Sequence, residues 1–593
     1  MVLSNFKRFL PIAVLSILAA CGGSVSDTTN PQEAQAPQSK FLAYMIAGAS
    51  TDSGSGTLAA GTSSNSSAVA AATMTPEAAA HFLAQASFGP TSATIAELAS
   101  MGTSAWITAQ FSMPQNMHRS YLNYYASSAS SGVTRKVVSE QFLGSFWQQA
   151  ISGPDQLRQR VAFALSQIFV ISTKDDAIYP EPYGVANYYD MLARRGLLNF
   201  RDLLEGVALH PLMGTYLSHI HNVKEDGTRM PDENFAREVM QLMTIGLYQL
   251  NQDGSVKLAD GKPQLTYEHE DIMGLAKVFT GWSWAGPDQS ESRFYGYTVY
   301  SDRAWTPMQN YTAYHSTSEK SFLGVTIPAG TNATTEVKIA LDTLFNHPNV
   351  GPFIGRQLIQ HLVTSNPSPA YVSRVAAAFN NNGSGVRGDM KAVIRAILLD
   401  SEATEATNPK KLREPLLRLA NFLRAFNATS SNGWFLSWGT SDVNTALAQT
   451  VLQSPSVFNF YRPMYSPPGS ALSNAGQVSA ELQITSGPSI TGYLNFLQQV
   501  MQYGFGVDDN IRADYTKEWA LAATPELLVD RVNLLLMSGS MSSTLRAKIL
   551  AALNSVVLDP KPWNGADTII ATKNRVYLAI YLTMASPEYL VQK

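Results

Sequence analysis

The stretch LRQRVAFALSQIFVI, residues 157–171, is apolar on nearly every side when wound as a helix, so it predicts a helix central to a core rather than one lying on a surface. Helical patterning recurs outward from it. On the N-terminal side, Thr75-Pro76-Glu77 places a capping threonine, a proline at the first helical position and an early acid ahead of Phe82, Leu83 and Ala86. On the C-terminal side, helices are predicted over residues 232–247, 271–279, 350–363, 371–379, 389–399 and 411–426, with several more beyond Pro525. Strand-like alternation is scarce; Asp253-Gly254 is a turn pair for a short hairpin between Leu250 and Leu265. The expected fold class is mainly α: a large multi-helix domain with long irregular loops around residues 283–335 and 428–475 and at most a minor β-hairpin. Residues 76–405 are assigned to a helical core domain and 406–593 to a C-terminal helical region packed on it.

With 593 residues, 45% hydrophobic and 15% charged, the chain has ample length for a large core. Its 42 basic and 45 acidic residues leave a net charge of -3, and no concentrated basic face argues for nucleic acid. A single cysteine excludes a disulfide framework, a Cys-ligated zinc ribbon, an Fe–S cluster and a CxxCH haem site. Nucleotide motifs fail as well. Gly383-Ser384-Gly385-Val386-Arg387-Gly388 has the GxGxxG spacing but follows a helix and not a strand, and Asp389 is placed to cap the next helix. His269-Glu270 begins like a zincin motif, yet position 273 is Met273.

The N-terminus reads as an export signal. Lys7 and Arg8 precede an apolar run of signal-peptide length over residues 9–20, too short for the roughly 20 apolar residues that span a bilayer. Leu18-Ala19-Ala20-Cys21 resembles the lipobox of bacterial lipoproteins, which implies a signal peptide of 1–20 and a lipid on Cys21; a general signal peptide with a free thiol is the alternative. Gly22 after the cysteine favours the outer membrane, with the body facing the periplasm or the cell surface. Residues 21–75 are rich in Ser, Ala, Gly and Thr and are expected to act as a flexible tether, because they offer too little apolar surface to offset their ordering entropy.

Candidate functional residues fall in three places. In Asp232-Glu233-Asn234-Phe235-Ala236-Arg237-Glu238, Asp232 is a cap and Glu233 and Arg237 are spaced i,i+4, while Asn234, Glu238 and Gln241 form a second polar row. That row reads either as a structural ion-pair network or as a cleft wall, with Asn234, Arg237 and the acid or base Glu238 as catalytic candidates. His219 and His221 form an HxH pair, which extended chain points to one side, as a divalent metal requires, and which a helix separates by about 200°. His315 lies in an irregular, aromatic-rich loop beside Glu319 and Lys320, and loops carry function more often than core helices do. His210-Pro211 and His347-Pro348 precede helices and read as structural.

Several ordered blocks carry a wider resemblance: HFLAQASFGPT (81–91), QLRQRVAFALSQIFV (156–170), PDENFAREVMQLMTIGLYQL (231–250), DIMGLAKVFTGW (271–282), HSTSEKSFLG (315–324) and HPNVGPFIGRQLIQHLVTSNPSPAYV (347–372). Over essentially everything after residue 77 the chain resembles the bacterial domain-of-unknown-function 1800 family, an exported lipoprotein member of it. The resemblance implies a fold and an exported setting but no reaction. Genes beside family members encode exported proteins resembling the alkaline phosphatase and sulfatase fold, which implies such a partner. In another branch histidines stand where this chain has Ser166, Ile168 and Met243; if they bind metal there, this chain lacks them. The expected function is a cell-envelope binding or assembly module, bound to the membrane through Cys21 and to an exported protein or a surface polymer. The alternative is an extracytoplasmic hydrolase or oxidoreductase, with a divalent metal as its candidate cofactor.

Overall fold

Local signals and burial agree along most of the chain. In the computed structural model, which describes residues 74–128, 135–298, 300–405, 410–558 and 565–593, Thr75 Oγ1 accepts the Ala78 amide at 3.2 Å and starts the helix Pro76–Ala86. Proline opens the helices Pro182–Arg195, Pro211–Tyr216, Pro369–Asn380, Pro415–Ala425 and Pro525–Met537 in the same way, since its missing N–H has no partner to lose there. The signal segment, Cys21 and the tether up to residue 73 lie outside the described residues.

The quoted stretch forms the helix Gln156–Ser166, which touches the helices Pro76–Ala86, Thr103–Ser112, Ser139–Ser152, Pro182–Arg195 and Val350–Leu362. Enclosure on that many sides buries the polar Gln156, Gln159 and Arg160 along with the apolar side chains. Leu157, Val161, Ala162, Phe163 and Leu165 are buried, and truncating Leu157 or Leu165 to Ala would cost about 2–5 kcal/mol. The helix stops at Ser166 rather than at Ile171, because the amides of Gln167 and Ile168 bond back three residues in a tightened turn. Burial nevertheless continues through Ile171.

The described residues hold 25 α-helices and five two-stranded antiparallel sheets, so the fold is mainly α. Three expectations need correction. The helix expected over residues 232–247 spans only Asn234–Gln241; beyond it Ile245 and Gly246 both bond to the Met240 carbonyl, and Gly246 takes φ 71°. Its apolar continuation stays buried without being helical. The helix expected from Lys411 begins at Pro415, because Lys411–Leu412 forms a strand with Val591–Gln592, in the register Val591↔Leu412. The expected hairpin is two successive turns within a Tyr248↔Leu265 bridge: Asp253-Gly254 sits inside a Leu250↔Val256 bridge, and Asp260-Gly261 links Leu258–Ala259 to Lys262–Pro263. Further short pairs in the loops, such as Lys320–Phe322 with Val325–Ile327, exceed the single hairpin foreseen.

Buried apolar residues from Ala79 to Tyr589 belong to one hydrophobic cluster. Helix Pro415–Ala425 packs on Ser139–Ser152, and Pro525–Met537 packs on Pro76–Ala86. Among the described residues no helix is long and apolar enough to cross a membrane.

Candidate functional site

The loop between helix His269–Val278 and helix Ala333–Asn346 is fixed at His315. Its imidazole is buried. Nδ1 donates to the Thr280 carbonyl at 2.8 Å, and Nε2 meets Glu336 Oε2 at 2.9 Å. Lys320 spends its ammonium on Glu336 Oε1 at 2.8 Å and on the Ser316 and Ser318 carbonyls, each at 2.9 Å. Glu225 then accepts the hydroxyls of Ser316 and Ser318 at 2.8 and 2.6 Å. Both ring nitrogens of His315 are therefore hydrogen-bonded within the protein, and the ring staples the loop to the Thr280 carbonyl and to Glu336 on the following helix. Lys320 belongs to that staple as its place in the sequence suggested, whereas the exposed Glu319 does not.

The polar row on Asn234–Gln241 lies in a separate network. Arg237 pairs with Glu233 at 3.0 Å, as the i,i+4 spacing predicts, and Asp232 Oδ1 accepts the Asn234 amide at 2.8 Å. Asn234 reaches the Ser218 hydroxyl at 3.4 Å. Glu238 is buried, and its Oε2 has no hydrogen-bond partner within the protein. Burial raises its carboxyl above the ordinary glutamate range, against the attraction of Arg237. Its neighbours include Tyr267, whose hydroxyl donates to Gln241 at 3.2 Å.

His219 and His221 turn to different surroundings. His219 donates from Nε2 to the Ala208 carbonyl at 2.9 Å and stacks on Phe235 at 3.8 Å. His221 takes φ 64° and packs among Trp284, Phe294 and Tyr295. Burial lowers both imidazoles to about 4, so both are neutral near pH 7. The left-handed residue at His221 breaks the extended run that would aim both rings one way, and among the described residues no group of three or more His, Cys, Asp or Glu could hold a metal ion. His210 caps Pro211–Tyr216, its Nδ1 accepting the Leu212 amide at 3.2 Å.

One cluster went unread in the sequence. Arg160, on the central helix, is 1% exposed; its Nη2 donates to the His361 carbonyl at 2.6 Å, and Lys411 Nζ donates to the same oxygen at 3.0 Å. Lys411 also pairs with Glu481 at 3.0 Å and lies 4.0 Å from Glu414, whose other oxygen accepts Gln449 at 2.7 Å. Burial raises the Glu481 carboxyl and holds His361 well below the usual imidazole range, so His361 stays neutral beside two cations. Two cations and two anions balance. The set joins residues 160 and 361 to residues 411, 414 and 481, on either side of the expected domain boundary. The available signal was Arg160 inside a stretch read as central to the core.

The same irregular loop carries an exposed aromatic face. Tyr295, Tyr297 and Tyr300 are 38, 80 and 45% exposed, beside half-buried Trp284 and Tyr314. Gly296, at φ 76°, lets the chain cross close over Trp284: a Cβ there would lie 2.9 Å from the indole nitrogen. Beneath the rings, Phe294 stacks on Tyr314 at 3.9 Å and contacts His221 at 5.8 Å. The arginines of the face are already paired. Arg293 lies 4.5 Å over Tyr300 and holds Asp288 with two bonds of 3.1 and 2.8 Å, while Arg303 lies 5.1 Å over Trp284 and bonds Glu181 at 2.9 Å.

Set against known proteins, the chain matches one family model, described as Protein of unknown function (DUF1800), over residues 81–591. No curated protein and no solved structure matches it.

Proposed function

Since the chain belongs to the DUF1800 family, a description that carries no activity, we propose that it is a binding or assembly module of the cell envelope. Its body is tethered to the outer membrane through lipid on Cys21, and it recognises an exported protein or a surface polymer through the aromatic face at residues 284–314. The single observation that carries this reading is the set of rings held exposed on a loop that His315, Lys320 and Glu336 clamp in place. Large exposed rings cost solubility and contribute nothing to the core, and they are the side chains that supply most contact energy in recognition.

Capture from the protein's own envelope tests it. The tethered protein should bring down a component that the Tyr295→Ala, Tyr297→Ala double variant loses, with the melting temperature unchanged. Capture that ignores those rings would remove the reading. Cys21→Ser should leave an unprocessed precursor or a protein that no longer fractionates with membranes; a processed, membrane-bound variant would end the lipid assignment.

An extracytoplasmic enzyme is the second reading, supported by Glu238, a buried carboxyl with one oxygen unpartnered and its proton affinity raised. A Glu238→Gln protein that melts like wild type but loses turnover would put that reading first.

A further inference from the structure

Resting on the binding-module reading, we propose that the occupant of the aromatic face is an uncharged polysaccharide chain, laid across Tyr295 and Tyr297.

Charge narrows the choice first. A phosphate-bearing or acidic polymer would need free cations, and the two arginines of the face are committed to Asp288 and Glu181. Asp288 is exposed and Arg293 is buried beneath the rings, so what faces outward there is the acid, already neutralised. The face thus complements a ligand without net charge.

Shape narrows it further. Tyr297 is 80% exposed. The Tyr295 and Tyr297 rings are 6.2 Å apart with planes 38° from one another, so they are neighbours on one path and neither lies flat against the other. An extended chain offering a C–H surface to each ring and hydroxyls to the tyrosine O–H groups fits that path, because each ring joins an apolar body to a polar tip. The platform is also set in advance: the Tyr311 amide bonds the Gly281 carbonyl at 2.6 Å, Ser283 holds the Phe294 carbonyl at 2.6 Å, and Gly296 seats the chain on Trp284. A chain binding there orders little of the protein, which lowers the cost of association.

Affinity electrophoresis of the full-length protein in detergent tests this. The gels would contain hydroxyethylcellulose, galactomannan or starch as neutral polymers, and alginate as the polyanion. Retardation is expected in at least one neutral gel and not in alginate. Tyr297→Ala should weaken it at least tenfold, and Tyr297→Trp should keep it, with melting unchanged in both. Free mobility in every neutral gel, retardation in alginate alone, or retardation that survives Tyr297→Ala would overturn the proposal. If the neutral gels fail while the ring-dependent envelope capture succeeds with a protein, the polysaccharide assignment falls and the binding module stands. If neither experiment depends on the rings, both fall.

Discussion

Glu238 is a carboxylate whose nearest cation has another partner: Arg237 bonds Glu233 and leaves Glu238 with burial as the dominant influence. Because burial raises its proton affinity, the folded state binds more protons than the unfolded chain between the ordinary glutamate value of about 4.3 and the raised one. The stability this contributes is fully present below that ordinary value and is lost as pH rises through the folded value. Glu238→Gln, which stays neutral, should therefore match or exceed wild-type melting at pH 7.5 and show a smaller loss between pH 4 and 7.5; a variant markedly less stable at pH 7.5 would mean the ionised carboxylate has a partner that geometry does not reveal. The opposite outcome is expected at Lys411. Lys411→Met strands Glu481 and Glu414 in the interior and should cost about 3–5 kcal/mol in denaturant unfolding, whereas adding Glu481→Gln should restore part of it. An unchanged midpoint for Lys411→Met would show that the pair contributes nothing. These two sites also mark how far single residues were legible. The Glu233–Arg237 spacing was read correctly because i,i+4 pairing is local, while Arg160 meets the His361 carbonyl 201 residues away and Lys411 meets that same oxygen 50 residues away, which one sequence does not disclose.

At the scale of elements, starts were easier to read than ends. Asp389 was expected to cap a helix, and its Oδ1 accepts the Lys391 amide at 3.0 Å and the Ala392 amide at 3.3 Å. Asp389→Ala should cost about 0.5–2 kcal/mol, the usual loss of an N-cap, as read from thermal or denaturant unfolding. A change within error would mean that water replaces the cap. Starts carry such signatures in their own side chains. Ends depend on tertiary context: the apolar run after Gln241 satisfied a helical pattern, yet the core accepts Met243 and Ile245 equally well in a turn. The strand at Lys411–Leu412 was illegible for a related reason, since its partner is the C-terminal Val591–Gln592. The aromatic face was foreseen only as an irregular, ring-rich loop, because which rings face out depends on the His315 staple and on Gly296.

Across the whole molecule, the expected division at residue 405 meets an arrangement in which both parts share their interior. The apolar cluster runs from Ala79 to Tyr589, the charged set takes members from both sides, and the Gln592 side-chain amide donates to the Leu362 and Val363 carbonyls. Domains that unfold independently have separate cores and few contacts across the boundary. Here, removing residues 406–593 would expose the apolar surfaces of Ser139–Ser152 and Pro76–Ala86 and leave buried Arg160 without the attraction of Glu414. Calorimetry of the full-length protein should accordingly give one endotherm covering both parts. Hydrogen exchange under mild denaturant should find the amides of Gln156–Ser166 and Pro415–Ala425 opening at the same free energy. Two resolved transitions, with the C-terminal helices exchanging first, would mean that residues 406–593 form a separate unit and that the charged set bridges two bodies instead of uniting one. Lys411→Met sharpens the test: in a single cooperative body it lowers the midpoint of the whole transition, whereas in two bodies it would split the transition and leave the N-terminal component near its wild-type midpoint.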